Sequence, residues 1–222
     1  MTHTLWKDLC IDAADAAGAG QFWGALLNLR LELPDRGDAV LRGERPEQTV
    51  WINAVPEPKA VKNRAHLDLV GPSVEQVVDL GGTVVQEVTD DGVSWTVLAD
   101  PGGAEFCVFH DPAAPSALVV DSADTVADAR WWAEVLGAKR VEAPGGLRRW
   151  VADVPGLPYD VIKFVGVDEP KTVKNRVHWD VVSDDVAALV DLGAVVLRKP
   201  DDDVRWHVLA DPAGNEFCVF AP

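Results

Sequence analysis

The spacing of apolar residues changes between two periods along the chain, which predicts a succession of short strands and helices. In the first half, apolar residues between positions 22 and 27 recur at intervals of three and four, as expected for one face of a helix. A second helix is predicted over residues 72–80, because Pro72 stands at its start and Gly81 follows its end. The strands predicted around these helices are residues 4–11, 49–55, 63–70, 83–88, 94–98 and 105–109.

The second half of the chain repeats the first. Residues 95–109 return as residues 206–220 with 12 of 15 positions identical, and the segment KNRAHLDLV returns as KNRVHWDVV with 6 of 9 identical. The matching histidines, His66 and His178, are 112 residues apart (178 − 66). A period this constant predicts two copies of one domain.

The repeat defines the domain boundaries. We predict a first domain over residues 1–110, a linker rich in Pro and Ala over residues 111–116, and a second domain over residues 117–222. Each copy contains two units in which a strand and a helix precede further strands. Because strands outnumber helices and short turns join many of them, we predict an α+β fold with mixed or antiparallel sheets.

The charge and the cysteines restrict the partners and the compartment. A net charge of −16 repels nucleic-acid phosphates and anionic membranes, so neither is an expected partner. No apolar run approaches the length of a membrane span, and residues 1–3 have no basic flank of a signal peptide. The three cysteines form no CxxC pair, which suits reduced thiols in a cytoplasm.

Three segments carry a family resemblance: the Phe22-Trp23 pair, VPEPKAVKNRAHLDL and LADPGGAEFCVF. Together they resemble the glyoxalase/bleomycin-resistance/dioxygenase superfamily, also called vicinal oxygen chelate, and within it the glyoxalase-like domain group. The resemblance covers nearly all of both copies. It implies a tandem duplicated fold of four βαβββ modules that form two cup-shaped mixed β-sheets. Many members hold a divalent metal in the cup, whereas others bind an aromatic or drug-like molecule there without a metal.

The resemblance also allows the metal site to be compared residue by residue. His66 and His178 fall where the family has a histidine ligand, but Cys107 and Cys218 stand where metal-binding members have Glu. The first copy then offers at most Asp8, His66 and Cys107, a mixed set that zinc accepts. The second copy offers only His178 and Cys218, so we expect a cup without a metal or other cofactor.

Other chemistry remains open for the same residues. His66 and Asp68 share a face of one strand, as do His178 and Asp180, and each pair is either a general base or a structural hydrogen bond. Glu105 is expected to accept backbone N–H bonds from the Gly-rich turn before it. Cys107 is expected to pack as a small apolar residue unless its thiolate is stabilised.

Nine tryptophans predict an aromatic contribution to core and cup. Trp23, Trp131 and Trp132 lie on helix faces and are expected in the core. Asp8, Trp51 and Asn53 make the first copy the better candidate for a working cup. The residues expected to contact a ligand are therefore Asp8, Trp51, Asn53, His66, Asp68, Trp95, Glu105, Cys107, His178 and Asp180.

These observations favour a small-molecule binding protein, monomeric or homodimeric, with an aromatic-lined pocket that lacks a metal. The alternative is a metal-dependent lyase, isomerase or dioxygenase that acts on a small oxygenated substrate through an ion near Asp8 and His66. A domain that only mediates assembly is a third interpretation, and a closed cup would favour it.

Overall fold

The computed structural model describes residues 4–34, 37–142 and 148–222, in which the order strand, helix, three strands occurs four times. The first module contains β1 (Leu5–Ala13), α1 (Ala16–Leu27), β2 (Arg30–Glu32), β3 (Ala39–Arg42) and β4 (Val50–Ala54). The second contains β5 (Ala65–Val70), α2 (Val74–Asp79), β6 (Thr83–Asp90), β7 (Val93–Ala99) and β8 (Glu105–Phe109). The third contains β9 (Ala117–Ser122), α3 (Thr125–Val135), β10 (Lys139–Glu142), β11 (Arg148–Ala152) and β12 (Val161–Gly166). The fourth contains β13 (Val177–Val182), α4 (Val186–Asp191), β14 (Val195–Arg198), β15 (His207–Ala210) and β16 (Glu216–Phe220).

The predicted elements match these bounds closely, and the caps explain where the helices begin. Asp15 accepts a hydrogen bond from the Gly18 amide and caps α1. Ser73 caps α2. No described helix has the length and apolar composition needed to cross a membrane. Residues 1–3, where no signal peptide is expected, lie outside the described part of the chain.

The described strands form two mixed sheets of eight strands each. The terminal sheet, built from the first and fourth modules, has the order β14-β15-β16-β13-β1-β4-β3-β2. The central sheet, built from the second and third modules, has the order β10-β11-β12-β9-β5-β8-β7-β6. In each module the first and last strands are parallel neighbours, and the modules join through the antiparallel pairs β1–β13 and β5–β9. The predicted fold class is confirmed.

The modules pair between the two copies, so the expectation that Asp8, His66 and Cys107 share one cup is wrong. Asp8 lies in the terminal sheet, whereas His66 and Cys107 lie in the central sheet. The sequence does not decide between the pairings, because β5 and β13 carry His and Asp at equivalent positions and the same alternation of polar and apolar residues.

Two equivalent sets of arginine hydrogen bonds join the copies, and we call them the latches. The Arg176 guanidinium donates to the carbonyl of Asp12 at 2.9 Å and to that of Glu57 at 3.1 Å. Arg64 donates in the same way to the carbonyls of Asp121 and Glu169. Each KNR segment therefore holds the opening strand of the other copy.

Alternation along the strands separates the core from the cups. Leu9 and Ile11 are buried in a core that continues between the two sheets. Helix α1 lies against β3 and β4 and carries Trp23 to Phe106 of the central sheet, with ring centroids 5.0 Å apart. Helix α3 makes the reciprocal contact through Trp132 with Phe217 of the terminal sheet. The tryptophans predicted to be core are buried at these contacts.

The Asp of each LADP turn connects a helix to the other sheet. The carboxylate of Asp100 accepts the indole N–H of Trp23 at 2.9 Å and the backbone N–H groups of Gly102 and Ala104. Asp211 accepts the indole N–H of Trp132 in the same way. A buried indole nitrogen needs an acceptor, so this aspartate fixes both the turn and the packing of the helix.

We predict that Asp100→Ala lowers the free energy of unfolding by about 2–4 kcal/mol, because it leaves the buried N–H groups of Trp23 and Ala104 and the partly buried N–H of Gly102 without an acceptor. Asp111→Ala is the matched control. Its carboxylate accepts one backbone N–H in an exposed turn, so its loss costs less than about 1 kcal/mol. Urea unfolding followed by tryptophan fluorescence measures both variants, and equal losses would contradict the connecting role of Asp100.

Candidate functional site

The concave face of the central sheet encloses a cavity of about 550 Å³. We call this cavity and its walls the central cup. Its apolar lining includes Val85, Trp95, Val97, Phe109, Val119 and Val165. A cavity of this volume with a mainly apolar lining matches the sites that hold small organic molecules.

Register brings side chains from four strands to the floor of the central cup. His66 on β5 lies opposite Val119 on β9, and Val119 lies opposite Lys163 on β12. On the other side, Asp68 lies opposite Cys107 on β8. Because these positions alternate with buried core residues, all of them point into the cup.

A charged cluster occupies the floor. The Lys163 ammonium lies 2.5 Å from Oδ2 of Asp68, and His66 Nε2 lies 3.5 Å from Oδ1 of the same carboxylate. Burial raises the pKa of Asp68, but the hydrogen bond from His66 and the charge of Lys163 outweigh burial and hold the pKa below its ordinary value. The carboxylate is therefore ionised and already neutralised by an ammonium group.

The thiol of Cys107 is not a prepared nucleophile. Burial, together with the negative charge of Asp68, raises the pKa of Cys107. A thiol in this environment stays protonated at neutral pH and packs as a small apolar group. The structure therefore supports the apolar interpretation of this cysteine.

The carboxylates at the rim of the central cup also have lysine partners. Glu105 accepts from Lys59 at 2.7 Å and from the Asn63 backbone N–H at 3.1 Å. Asp121 is paired with Lys62. Glu105 was expected to cap the Gly-rich turn, but the amides of that turn bind Asp100, so Glu105 instead holds the start of β5. A cationic ligand would have to compete with these lysines.

Aromatic rings form one wall. Trp95 stacks on Phe109 with ring centroids 5.4 Å apart and planes 16° apart. The Lys163 ammonium lies 5.0 Å from the centroid of Phe109 and 5.8 Å from that of Trp150. The wall thus provides a flat apolar surface, and the floor provides a hydrogen-bond donor. Trp95 lies in this wall, where it can contact a ligand as expected.

The equivalent face of the terminal sheet, which we call the terminal cup, has a different centre. Asp8, Cys10, His178 and Asp180 are all buried there. Lys7 lies 2.5 Å from Asp8, and the Trp51 indole donates to the same carboxylate at 3.2 Å. Among the described residues, Oδ1 of Asp8, Oδ1 of Asp180 and Nδ1 of His178 have no hydrogen-bond partner.

Burial controls ionisation in the terminal cup. It raises the pKa of Asp180, and the neighbouring Asp8 carboxylate raises it further. Burial also lowers the pKa of His178. Asp180 therefore favours a proton and His178 favours the neutral imidazole, whereas the corresponding Asp68 is ionised beside its lysine.

The residues predicted to contact a ligand thus divide between two cups. His66, Asp68, Trp95, Glu105 and Cys107 line the central cavity. The terminal cup contains Asp8, Trp51, His178 and Asp180. Asn53 lies opposite Asp12 at the end of β1 and donates to its carboxylate, so it supports the latch rather than the cup centre.

Sequence reasoning missed the residues that neutralise the cups. It did not select Lys163 or Lys7, nor Cys10 and Asp121, which also lie in the cups. A signal for Lys163 was present, since it is the one charged residue in the otherwise apolar segment 161–166. A lysine within such a strand must be buried or must face a cavity.

The two cups fit a metal ion differently. In the terminal cup, donor atoms of Cys10, His178 and Asp180 lie within 4.8 Å of one another, and this mixture of S, N and O suits a soft divalent ion such as zinc. In the central cup, His66, Asp68 and Cys107 form the same kind of group. However, the Lys163 ammonium lies on Asp68, so the central donors do not fit a second cation.

Comparisons with solved structures show the same overall fold in distant proteins. Glyoxalase I from Zea mays is 14% identical over 98% of this chain and 92% of its own, with a TM-score of 0.68. A putative dioxygenase from Bacillus subtilis subsp. subtilis str. 168 is 12% identical over 98% and 84%, with a TM-score of 0.67. The cppA protein from Streptococcus pneumoniae TIGR4 is 8% identical over both full lengths, with a TM-score of 0.54.

A search of the curated proteins finds no match to this sequence. The family model described as glyoxalase-like domain matches twice, over residues 8–109 and 117–220. Each match covers nearly all of one copy of the repeat. The chain therefore belongs to the glyoxalase-like domain family, as two tandem copies.

Proposed function

We propose that the protein binds a small planar molecule in the central cup and that this binding requires no metal. The observation that carries the proposal is the cavity itself, in which the Trp95–Phe109 wall faces the floor of Lys163, Asp68 and His66. A site of this kind provides apolar contact for a ring and polar groups that fix its orientation.

The polar floor favours a ligand with a hydrogen-bond acceptor. An ammonium group has three donors, and the described structure assigns one hydrogen bond of Lys163, to Asp68. The group also lines the cavity, so its remaining donors can bind a carbonyl, carboxylate or sulfonate oxygen. A ligand amine would find the carboxylates of Asp68, Glu105 and Asp121 already paired with lysines.

The repeat provides a matched pair of variants for testing this site. Trp95 stacks on Phe109 in the central cup, and Trp206 stacks on Phe220 in the terminal cup with centroids 4.9 Å apart. We predict that Trp95→Ala weakens binding of the fluorescent aromatic sulfonate 1-anilinonaphthalene-8-sulfonate by tenfold or more. A tenfold loss is about 1.4 kcal/mol, which is within the contribution of one buried aromatic contact.

Trp206→Ala is expected to bind the same probe within twofold of the unchanged protein, since it removes the equivalent ring from the other cup. Fluorescence titration measures both affinities, and circular dichroism confirms that both variants are folded. Equal losses in the two variants, or a larger loss in Trp206→Ala, would refute the central cup as the binding site. A thermal-shift screen of aromatic carboxylates then identifies better ligands.

A second candidate function, a metal-dependent lyase, isomerase or dioxygenase, is supported by the terminal cup. Cys10, His178 and Asp180 provide three closely spaced donors, and two of the donor residues carry atoms without a hydrogen-bond partner in the described residues. A bound divalent ion would act there as a Lewis acid on an oxygenated substrate. The ion would lie near His178, because Asp8 and His66 are on different sheets.

For this second candidate we predict near-stoichiometric zinc, nickel, iron or manganese in protein purified without a chelator. His178→Ala is expected to abolish the bound metal, because it leaves only two of the three donors, and His66→Ala is expected to retain it. Elemental analysis after gel filtration provides the measurement. Absence of metal from the unchanged protein, or loss of metal on replacing His66, would exclude this candidate.

A further inference from the structure

The central cup contains three side chains of types that bind metals, and a lysine ammonium group already lies on one of them. His66, Asp68 and Cys107 provide donor atoms within 4.8 Å of one another, and their types suit zinc or cobalt. The Lys163 ammonium lies 2.5 Å from Oδ2 of Asp68. The side chains of Lys163 and Asp68 are only 8% and 5% exposed, so water screens their interaction weakly.

In both cups a lysine ammonium group lies over the equivalent phenylalanine ring. Lys7 lies 4.1 Å from the centroid of Phe220, and Lys163 lies 5.0 Å from that of Phe109. The two phenylalanines are equivalent in the repeat, but the two lysines are not, because Lys7 comes from β1 and Lys163 from β12. Duplication therefore does not account for an ammonium over the same ring in both cups.

The two lysines nevertheless have different carboxylate partners. Lys7 pairs with Asp8, which is not one of the three clustered donors of the terminal cup. Lys163 pairs with Asp68, which is one of the three donors of the central cup. The position opposite Cys10 in β4, equivalent to Lys163, is Trp51, so the terminal donors have no lysine in that place.

We propose that the Lys163 ammonium is the resident cation of the central cup, where it takes the place of a divalent ion and keeps a latent His66–Asp68–Cys107 metal site closed. A divalent ion on these donors would lie within a few ångströms of the ammonium group, and repulsion at that separation is strong in a buried site. This inference deepens the proposed function, because it explains how the cup positions a ligand without a metal.

The test counts the Co²⁺ ions bound by the unchanged protein and by variants at Lys163. Lys163→Met removes the charge and keeps much of the side-chain volume, and we expect it to bind one more equivalent of Co²⁺ than the unchanged protein. Cys107 releases its proton to the buffer on binding, so a thiolate-to-cobalt charge-transfer band appears. Elemental analysis and absorption spectroscopy measure the stoichiometry and the band, and any ion in the terminal cup contributes equally to both proteins.

Two controls assign the gain to the central cup. Lys163→Arg keeps the positive charge and is expected to bind no additional ion. The double variant Lys163→Met, His66→Ala is expected to lose the added equivalent and its absorption band. Lys163→Gln provides a second neutral variant, and circular dichroism establishes that each protein is folded.

Two results would overturn the inference. One is a folded Lys163→Met or Lys163→Gln protein that gains no Co²⁺. The other is an unchanged protein that already binds an ion lost on His66→Ala, since Lys163 would then not exclude it. Neither result depends on the aromatic probe, so a failure of the ligand-binding proposal is separately visible in the Trp95→Ala and Trp206→Ala comparison.

Discussion

A buried aspartate lies two residues after the histidine that each copy of the repeat carries, and this carboxylate sets the chemistry of both sheets. Asp68 and Asp180 occupy equivalent strands and are both almost fully enclosed. An isolated ionised carboxylate is expensive to bury, so each must be paired with a cation, accept hydrogen bonds or retain a proton. The central cup provides an ammonium group for Asp68, whereas the terminal cup places Asp180 beside a second carboxylate and raises its pKa.

This difference decides what each cup can bind. The ion pair of Asp68 with Lys163 leaves an open cavity with apolar walls and a floor on which these two charges offset each other. In the terminal cup the equivalent floor holds Asp8, His178 and Asp180 with atoms that have no partner among the described residues. Buried polar atoms without a partner favour a ligand that carries positive charge or hydrogen-bond donors. The two floors therefore differ in charge balance and in hydrogen bonding, although their strands are equivalent.

The sequence predicts local structure well because strand alternation, caps and turns are encoded by neighbouring residues. It identifies His66 and Asp68 as facing one way and Trp23 as core, and the structure places them so. It does not predict which module pairs with which, because β5 and β13 carry His and Asp at equivalent positions and the same alternation of polar and apolar residues. The error in the predicted metal site follows directly, since Asp8 belongs with His178.

Lys163 shows the same limit for a single residue. The sequence indicates the strand that contains Lys163. The partner of its side chain, however, depends on which strand lies next but one in the sheet. Only the register from β12 through β9 to β5 brings its ammonium to Asp68. Long-range contacts of this kind are set by the tertiary fold and leave little trace in local spacing.

Pairing between copies also determines how the two cups can diverge. Each cup takes one module from each copy, so a substitution in either copy changes one cup while the latches at Arg64 and Arg176 remain. Positions that differ in chemistry, such as Lys163 against Trp51 and Val119 against Cys10, are equivalent members of different cups. The same scaffold can therefore carry different floors in its two cups, because the core residues that join the sheets face away from both.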